Sequence, residues 1–300
     1  MLTKEDSIVI IGVGGATCSG KTTLAKHLLN ILHPTPPSTC TRISQPNSTV
    51  RDAFILHQDD FAPLEETLPW NQEFQVRDWD WPDGAIQYEK MRSTLDHIRS
   101  TGSIPEGFKS HDHLNHQPDR PIPDSQVRSW RQRFHSLKLQ DPSASRAVGG
   151  EATESSGPKR LTFVIADGFL LYYDPKVRES IDVRILLRVP KRILWKRREE
   201  RFGYATGEGT VWKDPPNYFP NIVWPAYVEA HKKVFEAGDV EKGRVVVAPP
   251  RGQSNEERGG PIRDLVLISN QSSDEEMSME EMVESACQAI WETLSRGGGV

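Results

Sequence analysis

Gly15-Ala16-Thr17-Cys18-Ser19-Gly20-Lys21-Thr22 fits the pattern G-x-x-x-x-G-K-[ST], with Thr23 continuing it. Glycines in such a loop let consecutive backbone N–H groups turn inward around an anion, and a helix beginning near Lys21 adds its positive end. Lys21 then neutralises the β- and γ-phosphates of a nucleoside triphosphate, and the Thr22 hydroxyl ligates Mg²⁺. Four other clusters could do chemistry with it: the paired acids Asp59 and Asp60, the aromatic-acidic pair Trp79-Asp80, the lone acid Asp167, and the basic run holding Arg197, Arg198 and Arg201. An indole face can stack on a planar ring while a carboxylate accepts from sugar hydroxyls. Two core tryptophans beside solvated acids would give the same pattern.

These residues need elements to hold them. Residues 8–13 form an apolar run suited to a buried strand, and Leu24, Ala25, Leu28, Leu29 and Leu32 recur at helical spacing behind the loop. Residues 54–57 read as a second strand that delivers Asp59 at its carboxyl end, the edge where ligands bind in open α/β sheets. Residues 161–166 read as a third strand ending in Asp167, an acid placed to help hold Mg²⁺. Residues 181–189 and 265–268 supply two more, and a capping-box pattern, Ser278-x-x-Glu281, opens the last helix.

The fold expected is therefore α/β: a three-layer phosphate-loop NTPase with a central five-stranded parallel sheet and helices on both faces. Residues 1–300 read as a single domain. Residues 101–159, dominated by Pro, Ser, Gly, His and charge, read as a flexible insertion with a short helix over residues 127–139; residues 237–261 read as a second, shorter one. His111, His113 and His116 inside the first lack the spacing of a zinc site and read as a solvated loop. Residues 203–223 read as part of a lid and substrate-side loop, a mobile flap bringing arginines over phosphates.

Composition narrows the function. A net charge of −5 argues against a generic nucleic-acid binder. No run approaches the roughly 20 apolar residues of a membrane span. Three cysteines, Cys18, Cys40 and Cys287, are far apart and read as reduced thiols, so the expectation is a cytoplasmic protein with no membrane partner. A switch GTPase needs N-K-x-D, which is absent. A small-molecule kinase needs an acceptor pocket, a carboxylate to take a hydroxyl proton, and a lid excluding water. Asp59, the Trp79-Asp80 pair and the segment from Arg197 and Arg198 to Tyr204 supply those parts.

The run from Ile11 to Ala25, then Gln58-Asp59-Asp60-Phe61, Trp79-Asp80, Asp167-Gly168-Phe169-Leu170-Leu171, the basic run ending at Arg201 and Asn221-Ile222-Val223-Trp224-Pro225-x-Tyr227 closely resemble the nicotinamide riboside kinases, uridine-kinase-like members of the phosphate-loop enzymes. The resemblance covers most of the chain outside the two insertions. It implies transfer of the ATP γ-phosphate to the 5′-hydroxyl of nicotinamide riboside, with nicotinic acid riboside as a second substrate, feeding NAD synthesis. It implies Asp59 as general base and Mg²⁺-associated carboxylate, Asp60 and Phe61 bordering the substrate, and Asp80 and Arg198 on the ribose. Trp79 and Tyr204 would sandwich the pyridine ring, and Arg197 and Arg201 would close over ATP. Trp79 stands where animal members tend to carry Tyr, Asp167 where Glu is frequent, and one extra residue separates Arg201 from Tyr204. Adenine contacts are expected near Ser269-Asn270-Gln271, and the expected state is a monomer. A uridine/cytidine kinase on the same architecture remains the alternative, as does an ATP-binding regulatory module that transfers no phosphate to a riboside.

Overall fold

The computed structural model describes residues 7–33, 50–115, 118–136, 160–201, 203–205, 211–250, 253, 256–269 and 276–296. Five strands, β1 (Ser7–Gly15), β2 (Val50–His57), β3 (Arg160–Gly168), β4 (Val183–Leu187) and β5 (Leu265–Ile268), form one sheet in the order β2-β3-β1-β4-β5. Every pairing is parallel, with Ile11 opposite Ile165 on one side and Val183 on the other. These are the five expected strands. The chain leaves β1 toward β2 on one side and leaves β3 toward β4 on the other, so the crevice beyond the carboxyl ends of β1 and β3 is a topological switch point.

Both faces of the sheet are covered, which is why its strands read as apolar runs. Val9, Ile11 and Val13 point to one face, packed by α1 (Lys21–Leu32), α3 (Asp124–His135) and α7 (Met279–Ser295). Ile8 and Ile10 point to the other, packed by α2 (Tyr88–Thr101), α4 (Pro175–Glu179) and α6 (Trp224–His231). The helix α5 (Lys191–Glu199) carries the basic run. The Ser278–Glu281 capping box at the start of α7 is formed in both directions.

Residues 101–159 differ from the reading of a loose insertion over much of their described part. Val127, Trp130 and Phe134 stand at i, i+3 and i+7, one stripe of α3, and all three are buried against α1 and α7. Truncating a core aromatic of this kind costs about 3–5 kcal/mol, so α3 belongs to the fold despite the polar residues around it. Leu137 and residues 138–159 lie outside the described part, as do residues 34–49, Asn270 and Gln271, and the terminal glycines. Among the described residues no helix is long and apolar enough to cross a membrane.

Candidate active site

The phosphate loop is aimed by packing underneath it. The Tyr172 hydroxyl sits 2.8 Å from the Gly12 carbonyl and 2.8 Å from the Ile185 carbonyl, and it accepts from the Ile185 N–H at 2.9 Å. It thus joins β1 to β4 just below the loop. A Cβ at Gly14 would lie 2.5 Å from the Tyr172 ring, so this glycine is required by close approach. Cys18 at φ 60° and Gly20 at φ 93° then curl the loop, and α1 starts with no side-chain cap on its first N–H groups. Uncapped donors at a helix start are the ones an anion can claim.

The ends of β2 and β3 are locked to each other. Gln58, fully buried, accepts from the Leu170 N–H at 2.8 Å through Oε1. A Cβ at Gly168 would meet the Gln58 Cβ at 2.6 Å, so the glycine after Asp167 makes room for this clasp. The clasp fixes the single 3₁₀ turn over Gln58–Phe61 and turns Asp59 and Asp60 to one cleft. His57, the last residue of β2, bonds the buried Asp167 carboxylate through Nδ1 at 2.7 Å. Burial alone would lower the His57 pKa; the bond to Asp167 and the charges of Asp167, Asp112 and Asp60 outweigh it and push it up to about 9. Asp167 is held below the usual carboxylate range: burial opposes this, but His57, the Lys21 charge and a bond from Thr22 prevail.

The cleft that receives Asp59 and Asp60 is also lined by Lys21, Thr22, Trp79, Asp80, Arg198 and Trp212. Asp78 Oδ1 accepts from the Asp80 and Trp81 N–H groups at 3.0 and 2.9 Å, a tight turn that points the Asp80 carboxylate inward. Asp80 is 6% exposed. Burial raises its pKa to about 6, partly countered by the Arg198 charge. Trp79 and Trp212 stand with ring centroids 5.9 Å apart and planes tilted by 49°. Asp214 joins the lid to this wall, because it accepts from Arg198 in a fork at 2.6 and 3.0 Å and from Trp212 Nε1 at 3.0 Å. Arg198 also reaches the Thr17 hydroxyl at 3.0 Å. Asp60 Oδ2, Trp79 Nε1 and Asp80 Oδ2 are buried with no hydrogen-bond partner. Such atoms cost free energy until a ligand satisfies them.

A second cleft lies across the phosphate loop. Residues 18–23 form its floor, Arg197 and Arg201 one side, and residues 276–280 another. Lys21 and Thr22 line both clefts, so a group held by them is reached from either side. Arg197 donates to the Cys18 carbonyl at 2.8 Å and pairs with Glu276, and Arg201 donates to Asn115 Oδ1 at 3.1 Å. Two clefts meeting at one phosphate loop are what in-line transfer between two substrates requires.

Hard oxygen donors are in place for Mg²⁺. The Thr22 hydroxyl and the anionic Asp167 adjoin each other at the loop, and Mg²⁺ is ordinarily held by one or two protein oxygens together with phosphates and water. Among the described residues no group of three or more His, Cys, Asp or Glu forms an all-protein cage.

Several placements depart from the sequence reading. Phe61 is fully buried beneath its turn, 5.4 Å from the Phe108 ring, and does not line the cleft. A 3₁₀ turn brings its fourth residue round to the inside. Tyr204 is described only as backbone, paired with Trp212 in a two-residue antiparallel ladder; its side chain lies outside the described part, and the ring facing Trp79 is Trp212. His111 lines the first cleft rather than standing in a solvated loop, and its backbone N–H donates to Asp60 Oδ1 at 2.8 Å. Trp212 and Asp214, which the sequence reading includes only within the 203–223 segment, and His57 and Asn115 are site residues that it does not single out. The run Trp212-Lys213-Asp214-Pro215-Pro216 carried the one usable signal, an indole and an acid at i, i+2 before a rigid diproline.

A model of the phosphoribulokinase/uridine kinase family matches residues 10–208. The chain is similar to the nicotinamide riboside kinase of Eremothecium gossypii, 29% identical over 233 residues that cover 78% of this chain and 80% of that protein. It is similar to the nicotinamide riboside kinase of Schizosaccharomyces pombe, 29% identical with 77% and 83% covered, and to human nicotinamide riboside kinase 2, 26% identical with 78% and 71% covered. The matched residues run from β1 through the phosphate loop, the Gln58–Phe61 turn, the Trp79-Asp80 wall and the arginines of α5. With the phosphate loop and much of both cleft linings inside that stretch, the chain belongs to the phosphoribulokinase/uridine kinase family.

Proposed function

We propose that this protein is an ATP-dependent kinase that phosphorylates the 5′-hydroxyl of nicotinamide riboside, and also of nicotinic acid riboside, feeding NAD synthesis. The observation that carries the choice of acceptor is the pair of indoles, Trp79 and Trp212, lining with the buried Asp80 a cleft that also holds Asp59 and Asp60. Nicotinamide riboside carries a cationic ring, and indole is the strongest aromatic partner for a cation. Uracil would instead need hydrogen-bond partners along its edge. The relatives named above are kinases of nicotinamide riboside, which favours the same reading.

In this mechanism the phosphate loop and Lys21 hold the β- and γ-phosphates, while Arg197 and Arg201 close over the triphosphate. Asp80 and Arg198 hold the ribose hydroxyls and so place O5′ beside Asp59. Asp59 takes the O5′ proton as O5′ attacks the γ-phosphorus and ADP leaves. Thr22 and Asp167, together with Asp59, would hold Mg²⁺, which would supply charge neutralisation on the phosphates. A ring between two indoles needs about 7 Å for two van der Waals layers, so the ladder carrying Trp212 must open from its present 5.9 Å separation to admit substrate. The enzyme is read as a monomer acting in the cytoplasm.

The acceptor atom is tested with 5′-deoxy-nicotinamide riboside. It should compete with nicotinamide riboside for binding and yield no phosphorylated product; a phosphorylated product would place transfer on a ring hydroxyl and overturn the assignment.

Asp80 makes the reaction pH-sensitive. Its carboxylate must be ionised to accept from two hydroxyls, and burial has raised its pKa to about 6. KM for the riboside should therefore rise as pH falls through 6, by about tenfold at pH 5. The stability sign is opposite: a carboxyl with a raised folded-state pKa stabilises the unliganded fold when protonated, and that contribution is lost as pH rises through 6. Initial rates of wild type and Asp80→Asn between pH 5 and 8 check this; a KM slope that persists in the variant would assign the titration elsewhere.

A further inference from the structure

The acid at the end of β3 is held by side chains from three separate segments. His57 and Asp167 stand directly opposite each other in the parallel register of β2 and β3. Ile55 and Ile165, two residues earlier on each strand, pack in the cluster under α1, so His57 and Asp167 emerge on that same face. A slip of one residue would turn one of them away, and the Gln58 clasp to the Leu170 N–H prevents it. The 2.7 Å bond between His57 Nδ1 and Asp167 Oδ1 therefore follows from strand pairing.

The other ring nitrogen has its own anchor. His57 Nε2 lies 3.8 Å from Asp112 Oδ2, the oxygen that also pairs with Lys26 Nζ at 2.7 Å. Asp112 opens a 3₁₀ turn, Asp112–Leu114, in the segment between α2 and α3. The residue before it, His111, fastens that turn to Asp60 through its backbone N–H. Lys26 is one turn beyond Thr22 on α1, and Thr22 adjoins Asp167. The contacts thus run from α1 through Asp112, His57 and Asp167 and back to α1. The side chains of His57 and Asp167 are 12% and 3% exposed, so little water competes for their bond.

A carboxylate that ligates a cation is ordinarily hydrogen-bonded in its turn, and that outer partner orients it. With Oδ1 engaged by His57, the Asp167 carboxylate cannot rotate freely about Cβ–Cγ, and its second oxygen is left to a cation. Asp167 also stands where the family frequently has Glu. The shorter acid has one bond fewer with which to find the ion, so its aim must be set by a neighbour.

We propose that His57 is the positioning residue of the metal site: it aims the Asp167 carboxylate at Mg²⁺, and Asp112 fixes the imidazole from the other side. The segment between α2 and α3 thereby serves the metal site through Asp112. This rests on the reading of Thr22 and Asp167 as Mg²⁺ donors, and its test needs neither acceptor nor turnover.

The ATP affinity of the full chain is measured by calorimetry with saturating Mg²⁺ and again in excess EDTA, and the ratio is the gain that the metal supplies. His57→Ala should cut that gain by roughly tenfold, the lower end of the cost of losing an outer partner, and leave the metal-free affinity within about twofold of wild type. His57→Asn places an amide N–H donor at the position of Nδ1 and should recover most of the gain. Asp112→Ala should lower it by less than His57→Ala does. Unchanged melting temperatures in the absence of nucleotide show that the variants fold. Equal losses with and without Mg²⁺ would make His57 a residue of the fold alone and overturn the proposal. An unchanged gain in His57→Ala, or no recovery in His57→Asn, would overturn it too. A wild-type protein that binds ATP equally well with and without Mg²⁺ would instead strike the metal reading itself.

Discussion

Asp59→Asn should lower the turnover of nicotinamide riboside by roughly 10²–10⁴-fold and leave ATP binding intact, the loss expected when a positioned general base is removed. Asparagine keeps the size and shape of the side chain, so the 3₁₀ turn, the Gln58 clasp to Leu170 and the His111 bond to Asp60 are undisturbed. What disappears is an acceptor for the O5′ proton at a point where the acceptor cleft meets Lys21 and Thr22. Asp60 differs from Asp59 in that its Oδ1 is engaged by the His111 N–H at 2.8 Å. Single-turnover phosphotransfer at saturating Mg-ATP, with a parallel nucleotide titration, checks both halves; near-normal turnover in the variant would remove Asp59 from the chemistry.

Trp212→Ala should raise KM for nicotinamide riboside by roughly tenfold to a hundredfold with little change in KM for ATP, the range of one aromatic stacking contact. The indole faces Trp79 and is braced by its Nε1 bond to Asp214, which in turn holds Arg198. Trp212→Phe keeps a π-face and loses only the Nε1 bond, so it should recover most of the affinity. This pair of variants separates stacking from positioning. If Tyr204 is the ring partner, Tyr204→Ala will carry the loss and Trp212→Ala will be close to neutral, and the assignment of the second indole fails.

The legible part of this protein was the part written in local pattern. The sheet strands are short, largely apolar runs, and Gly15, Asp59 and Asp167 stand at or just beyond the carboxyl ends of three of them. Parallel pairing alone then brings the three ends together, so the meeting of the phosphate loop with the acids followed from the fold class. The helix α3 was only half legible, because its single stripe of Val127, Trp130 and Phe134 is surrounded by polar residues with the composition of a loop. The less legible part is made by contacts between distant segments. Nothing near Arg198 in the chain announces that Asp214 will clasp it, nor does anything near His57 announce Asp167, 110 residues away. Phe61 was misplaced for a local reason: its neighbours Asp59 and Asp60 line the cleft, and the direction of one short turn decides that it does not.

On the proposed function those long-range contacts separate one riboside from another, because the phosphate loop is shared by every phosphate-loop kinase. The central claim is that two indoles and buried carboxylates select a cationic pyridine riboside. It is tested most directly by offering nicotinamide riboside, uridine and cytidine together at equal concentration with limiting Mg-ATP, and resolving the monophosphates by mass. Nicotinamide mononucleotide should be formed well ahead of both pyrimidine nucleotides, and Trp79→Ala should narrow that lead. Uridine or cytidine monophosphate as the leading product of the wild-type protein would contradict the account.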